Sequence, residues 1–226
     1  MPYRTITRDQ YTKDYYTLNS TAQTISVTVG TGATALVVLS VNENLRTYTS
    51  ITANGTPMSE LFDVEFLPGV SHHRGAIYTL ESPPTGTYNI VVTVSGNTNS
   101  MLTWVYSLKG TKTTDFIDGY GYNASGNVSS LSLSSPDCIY PRSTWWIGMG
   151  MSSNAFTYPY SGQATEVDSI NTGYKSVLFD TSAAGQIPSW WDAGINFTTD
   201  TDKGTAILMG IGISGILSSP MPTSIY

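Results

Sequence analysis

The sequence predicts an all-β protein, an antiparallel β-sandwich of about eleven or twelve strands. Apolar and polar residues alternate with period two along much of the chain, which is the pattern of half-buried strands. Gly, Pro and Asn turns separate these runs, and no window carries the apolar stripe that an amphipathic helix needs. Many short strands joined by such turns are typical of a sandwich or a barrel.

Two kinds of strand are predicted from the runs. Residues 24–29 (TISVTV) and 88–95 (YNIVVTVS) alternate, which indicates one buried face and one exposed face. Residues 35–41 (ALVVLSV) and 101–108 (MLTWVYSL) are apolar on both faces. We therefore expect the second pair to be central strands that are covered on both sides.

Turn residues divide these strands from one another. Asn54-Gly55 is a strong signal for a two-residue hairpin, and residues 83–86 (PPTG) end one strand before the next begins. Residues 202–204 join a strand that ends near Thr199 to the last strand of the chain. Residues 110–130 hold the weakest pattern, so we expect a long loop there in the middle of the domain.

Both ends of the chain are predicted to be appendages. We divide the chain into an N-terminal arm at residues 1–20, a single β-sandwich domain at 21–215 and a C-terminal tail at 216–226. The tail contains Pro220 and Pro222, which an ordinary strand does not accommodate. The arm mixes charged residues with tyrosines that are candidate interface or glycan contacts: Tyr3, Tyr11, Tyr15 and Tyr16.

The composition excludes several classes of protein. Only 12% of the 226 residues are charged and the formal net charge is -6, whereas a protein that follows nucleic-acid phosphates needs clustered Lys and Arg. The hydrophobic content of 40% is too high for an intrinsically disordered chain. No apolar stretch reaches the length of about 20 residues that a membrane-spanning helix needs. We therefore expect neither a nucleic-acid partner nor a membrane partner.

The N-terminus and the cysteine content bear on location. Residues 1–8 lack the apolar core of a secretion signal, so we expect the chain to be made in a cytoplasm and not exported by that route. The single Cys138 allows no internal disulfide. The chain is nevertheless rich in Ser and Thr and poor in Lys, as a protein exposed to an exterior would be. Assembly into a virus particle that leaves the host by lysis reconciles these observations.

The histidines and the cysteine do not form a known catalytic pattern. His72 and His73 are adjacent, so on a strand they would point to opposite faces and could not bind one metal ion together. A solvated turn before a strand is the simpler interpretation of this pair. Cys138 lies in no thiol-protease motif, and we expect a small buried or interface thiol.

The acidic residues give two weak signals for a site. Asp63 and Glu65 share a strand face, as the carboxylate pair of a glycosidase would, but many surface acids do the same. Asp200 and Asp202 hint at a calcium loop, although the further ligands of an EF-hand are missing. A hairpin turn is the simpler interpretation. We therefore expect no catalytic residue, no metal site and no cofactor.

Three predicted strands carry glycine on one face. Residues 145–151 place Trp146 beside two glycines, residues 190–197 place Trp190 beside Gly194, and the last strand places Gly210 beside Gly212. Glycine in a strand marks the close approach of a backbone, a ligand or an aromatic ring. Both tryptophans are therefore candidate interface or glycan residues. They could instead cover glycines of their own domain, and the three interpretations stay open.

The order of these motifs resembles a jelly-roll-like β-sandwich domain of bacteriophage structural proteins, of the decoration or tail type, and of some bacterial surface proteins. The resemblance lies in residues 35–42 (ALVVLSVN), 51–58 (ITANGTPM), 73–96 (HRGAIYTLESPPTGTYNIVVTVSG) and 101–110 (MLTWVYSLKG). It continues in SSLSLSS, TWWIGMGM and AILMGIGI, but leaves out the arm and the tail. The resemblance implies a structural or adhesive module and no catalytic residues.

We therefore predict a non-enzymatic virion structural protein that binds other virion proteins and forms a homo-oligomer. Capsid decoration or reinforcement is favoured over a tail location, because the chain is one domain without fibre-like repeats. One alternative is a carbohydrate- or receptor-binding module in which Trp146, Trp190, Tyr120 and Tyr122 stack on sugar rings. Another is a polysaccharide hydrolase, which would need a cleft with two converging carboxylates.

Overall fold

The computed structural model describes residues 6–16, 19–66, 73–128, 130–133, 144–152, 156–157, 165–172, 174–180, 195–199 and 204–215. These residues form seventeen β-strands and no helix. The strands are β1 (Thr7–Tyr16), β2 (Ser20–Val29), β3 (Ala33–Glu43), β4 (Tyr48–Ala53), β5 (Thr56–Pro57), β6 (Ser59–Phe66), β7 (His73–Glu81), β8 (Gly86–Thr98), β9 (Met101–Lys109), β10 (Ile117–Val128), β11 (Ser130–Leu133), β12 (Thr144–Ser152), β13 (Phe156–Thr157), β14 (Thr165–Thr172), β15 (Tyr174–Asp180), β16 (Ile195–Thr199) and β17 (Gly204–Ser214).

The prediction of an all-β, antiparallel sandwich is confirmed, since all paired strands in the described ranges run antiparallel. The described residues alone form seventeen strands, against the eleven or twelve expected from sequence for the chain. Two of them, β5 and β13, have only two residues each, too short for an alternating pattern to show. No helix capable of crossing a membrane occurs in the part of the chain that the structure describes.

The strands form three larger sheets and one small sheet. The central sheet has the order β1-β9-β3-β7-β6. The first outer sheet has the order β2-β8-β4-β5, and the second outer sheet has the order β10-β17-β12-β15-β14. The small sheet has the order β11-β16-β13.

Two hydrophobic cores lie on opposite faces of the central sheet, so the larger sheets form three layers. On β3, Leu36 and Val38 belong to the core shared with the first outer sheet, whereas Val37 and Leu39 belong to the core shared with the second. All four are fully buried. Burial of one such aliphatic side chain contributes about 1.5–3 kcal/mol, so both faces stabilise the fold. The expectation that β3 and β9 are covered on both sides is confirmed.

The N-terminal segment belongs to this architecture. Residues 7–16, which the sequence placed in an arm, form β1 at the edge of the central sheet and pair with β9 of the same chain. Tyr15 lies opposite Leu102 and packs against the core. The charged residues of β1 hid this pattern, because an edge strand exposes more of its side chains than a central one. Residues 1–5 and the tail at 216–226 lie outside the described residues, so the division of the chain at its ends stays a prediction.

The expected loop at residues 110–130 is wrong for most of its length. Residues 117–128 form β10, which pairs with β17 along the edge of the second outer sheet. The alternation is present, with Tyr120 opposite Ile211 and Tyr122 opposite Met209. It was hidden because glycine and asparagine occupy the opposite face of the strand.

A directed chain of buried hydrogen bonds crosses the interior. The Tyr48 hydroxyl donates to Ser40 Oγ at 3.1 Å, and the Ser40 and Thr103 hydroxyls lie 2.8 Å apart. Thr103 Oγ1 donates to Gln23 Oε1 at 2.7 Å, and Gln23 Nε2 donates to the Asp14 carbonyl at 3.2 Å. Burial raises the pKa of Tyr48 although Ser40 accepts a hydrogen bond from its hydroxyl group. Because buried polar groups need partners, this chain favours one register between β2, β3, β4 and β9.

Candidate interaction surface

An aromatic cluster lies where the edge of the central sheet meets the edge of the second outer sheet. The ring of Phe62 on β6 lies 5.6 Å from the ring of Tyr120 and 5.8 Å from the ring of Tyr122, both on β10. Phe62 is buried, whereas Tyr120 is 47% exposed and Tyr122 is 49% exposed. We call these three residues, with the half-buried Val64 and Ile117 beside them, the aromatic rim.

Strand order explains why these tyrosines are exposed. Tyr120 and Tyr122 lie opposite the buried Ile211 and Met209, so they point from the second outer sheet towards the central sheet. β6 and β10 are edge strands, and among the described residues no further strand pairs with their outer edges. The core therefore ends at the rim with two half-exposed rings, and exposed Tyr is typical of contact surfaces.

The acidic side chains of β6 lie on the face of the central sheet that is turned away from the aromatic rim. Glu60 and Asp63 lie opposite Tyr78 and Ala76, which belong to the core of the first outer sheet. Arg74 Nε lies 2.5 Å from Asp63 Oδ1, and the Tyr78 hydroxyl donates to Glu60 at 2.7 Å. Burial raises the pKa of Asp63, while Arg74 acts to lower it. The rim is thus an apolar and aromatic surface whose neighbouring acids lie on the other face of the sheet.

A second exposed tyrosine lies at the opposite edge of the central sheet. Tyr11 on β1 is 38% exposed, its ring lies 6.2 Å from the ring of Tyr106, and the Arg8 guanidinium lies 5.1 Å from the Tyr11 ring centre. Tyr11, Tyr120 and Tyr122 are the large hydrophobic side chains that the described residues expose. Tyr11 lies on the opposite edge of the central sheet from the rim, which makes it a matched control for experiments on the rim.

A partly buried carboxylate fixes β1 near Tyr11. The Asp9 side chain is 8% exposed and accepts hydrogen bonds from the Gly30 amide at 2.7 Å and the Ser107 hydroxyl at 3.1 Å. Lys109 Nζ lies 2.5 Å from Asp9 Oδ1. Burial alone would raise the pKa of Asp9, but these hydrogen bonds and the Lys109 charge hold it below its usual value. Asp9 therefore acts as an anchor for the edge strand.

The structure separates the other residues that the sequence singled out. Tyr15 is half-buried against the core, and Tyr16 and Trp146 lie on β1 and β12 with side chains outside the described part. Tyr3 and Trp190 lie outside the described residues altogether. Among the described candidates, only Tyr11, Tyr120 and Tyr122 are exposed aromatics, and only the last two lie together.

The predicted glycine faces of two strands are adjacent. Gly148 on β12 lies opposite Gly210 on β17, and Trp146 lies opposite Gly212. The sequence reasoning missed that β10 continues both rows with Gly121 and Gly119. The Gly-Tyr-Gly-Tyr alternation at 119–122 was the signal that could have found them. It places glycine on one face of β10 and the rim tyrosines on the other.

Among the described residues, those considered for catalysis or metal binding do not lie together in one site. His73 is buried at the start of β7, so the expected solvated turn is wrong for this residue, because its pairing with Phe66 extends the sheet that far. Asp63 is held by Arg74, while Glu65 is exposed. No group of three or more His, Cys, Asp or Glu in the described ranges could hold a metal ion. His72, Cys138, Asp200 and Asp202 lie outside those ranges.

Comparison with known proteins gives a distant similarity to a solved structure. No family model and no curated protein matches the chain. A solved structure, the major capsid protein P2 from bacteriophage PM2, is similar with a TM-score of 0.27 and 8% sequence identity, over 91% of this chain and 98% of that chain. Both values lie below the level that indicates a shared fold, so this similarity assigns neither a fold nor a function.

Proposed function

We propose that this chain is a non-enzymatic structural protein of a virus particle, which decorates or reinforces a bacteriophage capsid. It binds neighbouring subunits through the surface of its sandwich and forms a homo-oligomer. The observation that carries the proposal is the aromatic rim, where two tyrosines of β10 are about half exposed beside Phe62 of the neighbouring sheet edge. Clustered aromatic side chains are the usual anchors of protein contacts.

The sheets that support the aromatic rim suit a structural role in a particle. The central sheet is buried on both faces, so the rim stands on a rigid core and not on a mobile loop. A rigid aromatic surface binds with little loss of conformational entropy, because Tyr has few rotatable bonds to immobilise. The sequence motifs at residues 35–110, which resemble phage structural domains, point in the same direction.

Mass spectrometry of purified virus particles from the host tests this function. The protein should be present in many copies per particle and should copurify with the capsid after tails are removed. Its absence from particles would end the proposal. Recovery with tails alone would replace decoration of the capsid with a role in the tail.

A second candidate is a carbohydrate- or receptor-binding module, which the half-exposed Tyr120 and Tyr122 also favour because sugar rings stack on aromatic faces. A glycan array tests it with the wild-type chain, the Tyr120→Ala/Tyr122→Ala variant and the Tyr11→Ala control. Binding that is lost only in the double variant would favour this candidate. An array without a binding glycan would count against it.

A further inference from the structure

We propose that the edge strand β10 pairs with β10 of a second copy of this chain, antiparallel and across a two-fold axis. This inference deepens the proposed function and rests on it, since it names the neighbouring subunit and the strand that joins the two copies. In the dimer, the two second outer sheets form one continuous sheet with five strands from each copy. An exposed sheet edge binds a further strand through backbone hydrogen bonds, so this pairing needs no change of fold.

The outer edge of β10 is accessible. Within the described ranges, no strand pairs with β10 on the side away from β17. Gly119 and Gly121 are half-buried, whereas their partners in β17, Gly212 and Gly210, are buried. Strand β11 of the small sheet has Cα atoms within 8 Å of both β10 and β17, whereas a strand beyond this edge would lie about 10 Å from β17. β11 therefore lies over a face of the sheet and leaves the edge open.

The middle of β10 is regular enough to pair. Its ladder with β17 has register shifts after Ile117 and after Ser125, and the residues between these shifts pair without interruption. Backbone N–H and C=O groups of a strand point alternately to its two sides. Residues 119–125 therefore present a row of donors and acceptors along the outer side, which a second strand can bind.

β10 lacks the charges that usually protect such an edge. Natural edge strands avoid unwanted pairing through charged side chains, proline or very short length. β1, β6 and β14 each carry at least two charged residues, and β5, β11 and β13 have no more than four residues each. β10 has 12 residues, of which only Asp118 is charged, and it contains no proline. Among these edges, β10 alone combines length with a near absence of charge.

The remaining edge strand, β2, has no charge either, but β1 of the same molecule lies against it. Gln23 Nε2 donates to the Asp14 carbonyl at 3.2 Å, and the Gly30 amide just after β2 donates to Asp9 Oδ2 at 2.7 Å. β1 thus covers the side of the first outer sheet on which β2 lies. β10 is therefore the long edge that neither charge nor a neighbouring strand protects in the described part of the chain.

The sequence of β10 is complementary to itself in one register. With Gly121 on the two-fold axis, Tyr120 of each copy lies opposite Tyr122 of the other copy. Aromatic pairs across two antiparallel strands stabilise a sheet. Asp118 lies opposite Ala124, so no like charges meet. Gly121 has no side chain at the axis, which allows the two backbones to approach each other closely.

The same register joins the aromatic rims of the two copies. Residues that lie opposite each other in an antiparallel pair share a face, so the tyrosines of both copies point towards the central sheets. Tyr120 and Tyr122 are 47% and 49% exposed, and both rings lie beside Phe62 of their own chain. Pairing adds a ring of the second copy on the exposed part of each tyrosine and keeps the contacts within the chain.

Analytical ultracentrifugation of the free full-length chain tests whether the pair forms. We expect the wild-type chain to be a dimer at micromolar concentration. Tyr120→Lys/Tyr122→Lys places like charges opposite each other and should raise the dissociation constant of the dimer at least about tenfold, whereas Tyr11→Lys on β1 should leave it unchanged. Circular dichroism and thermal unfolding confirm that each variant keeps its fold. A monomeric wild-type chain, or equal weakening by the β1 and β10 variants, would overturn the proposal.

Disulfide crosslinking tests the register of the pair. In a Cys138→Ser background, the Tyr120→Cys and Tyr122→Cys chains are oxidised separately and as a mixture. Residues directly opposite each other lie within reach of a disulfide, whereas diagonal neighbours are about 7–8 Å apart. We expect the mixture to form dimers linked between positions 120 and 122 severalfold faster than either variant alone. Equal rates in the three samples, or faster crosslinking of one variant with itself, would overturn the proposed pair.

These measurements separate the dimer from the proposed function, because they use the free protein. A monomeric chain that is nevertheless present in purified particles would refute the pairing of β10 and leave the structural role in the particle intact. A dimer joined at positions 120 and 122 that is absent from particles would support the pairing and refute that role.

Discussion

Replacement of Asp9 by alanine tests how the edge strand β1 is held on the central sheet. In the folded chain the Asp9 carboxylate is 8% exposed and accepts hydrogen bonds from Gly30 and Ser107 while it pairs with Lys109. Removal of the carboxylate leaves two donors without their acceptor in a partly buried site. Each donor left in this way costs about 1–3 kcal/mol.

The ion pair adds little to this cost. The Lys109 side chain is 36% exposed, so water can solvate its ammonium group after the carboxylate is removed. We therefore expect Asp9→Ala to lower the free energy of unfolding by about 2–6 kcal/mol, mainly through the two unsatisfied donors. That loss is a large share of the stability of an ordinary domain.

Urea unfolding followed by tryptophan fluorescence measures this effect, with Asp14→Ala as the matched control. Asp14 lies on the same strand, but it is its backbone carbonyl that accepts a hydrogen bond from Gln23, and the substitution keeps that carbonyl. The control should change stability by no more than about 0.5 kcal/mol. If Asp9→Ala lowers the urea midpoint no more than Asp14→Ala does, the anchoring role of Asp9 is refuted.

The stability difference between wild type and Asp9→Ala should depend on pH in a definite direction. The folded protein holds the pKa of Asp9 below its ordinary value of 3.8, so the charged carboxylate stabilises the fold above that pH. The stabilisation is lost as the pH falls through the lowered folded-state pKa. The difference in the free energy of unfolding between wild type and Asp9→Ala should thus be constant near neutral pH and become smaller only in acid. A stability difference that instead widens as the pH falls into the acid range would contradict this sign.

Three further substitutions probe the layers. Gly30→Ala would place its Cβ 2.6 Å from Asp9 Oδ1. The loss of unfolding free energy that it causes should therefore be smaller in the Asp9→Ala background. If the two losses simply add in a urea double-mutant cycle, the contact is contradicted. Thr103→Val breaks the buried hydrogen-bond chain and should cost about 1–3 kcal/mol, so an unchanged urea midpoint would argue against that chain. Leu39→Ala, at a fully buried position between the central and second outer sheets, should cost about 2–5 kcal/mol in thermal unfolding, and a loss below about 1 kcal/mol would contradict the second core.

The sequence was sufficient to predict the strands of the two cores but not their layering. Alternation at residues 24–29 and 88–95 shows that one face of each strand is buried, and the apolar runs of β3 and β9 show that both faces are. Period two does not show which sheet covers which face. That β3 lies between two outer sheets depends on pairings far apart in the chain, which local patterns do not encode.

The candidate site was predictable only in part. The sequence marked Tyr120 and Tyr122 as aromatic residues that could contact a ligand, but it placed them in a loop because glycines interrupt the apolar pattern of β10. Their contact with Phe62 joins positions about sixty residues apart and exists only because β6 and β10 are neighbouring edges. Composition and residue spacing do not predict which strand edges of two different sheets will lie next to each other.

The number of copies of the protein in purified virus particles, measured by quantitative mass spectrometry for rim variants, tests the central claim most directly. Loss of interface anchors of this kind costs about 2 kcal/mol or more, which corresponds to at least about a tenfold loss of affinity. The account predicts that Tyr120→Ala/Tyr122→Ala lowers the copy number strongly while Tyr11→Ala leaves it unchanged, with both variants folded. Equal incorporation of the double variant and the wild-type chain would contradict the claim that the aromatic rim is the contact surface.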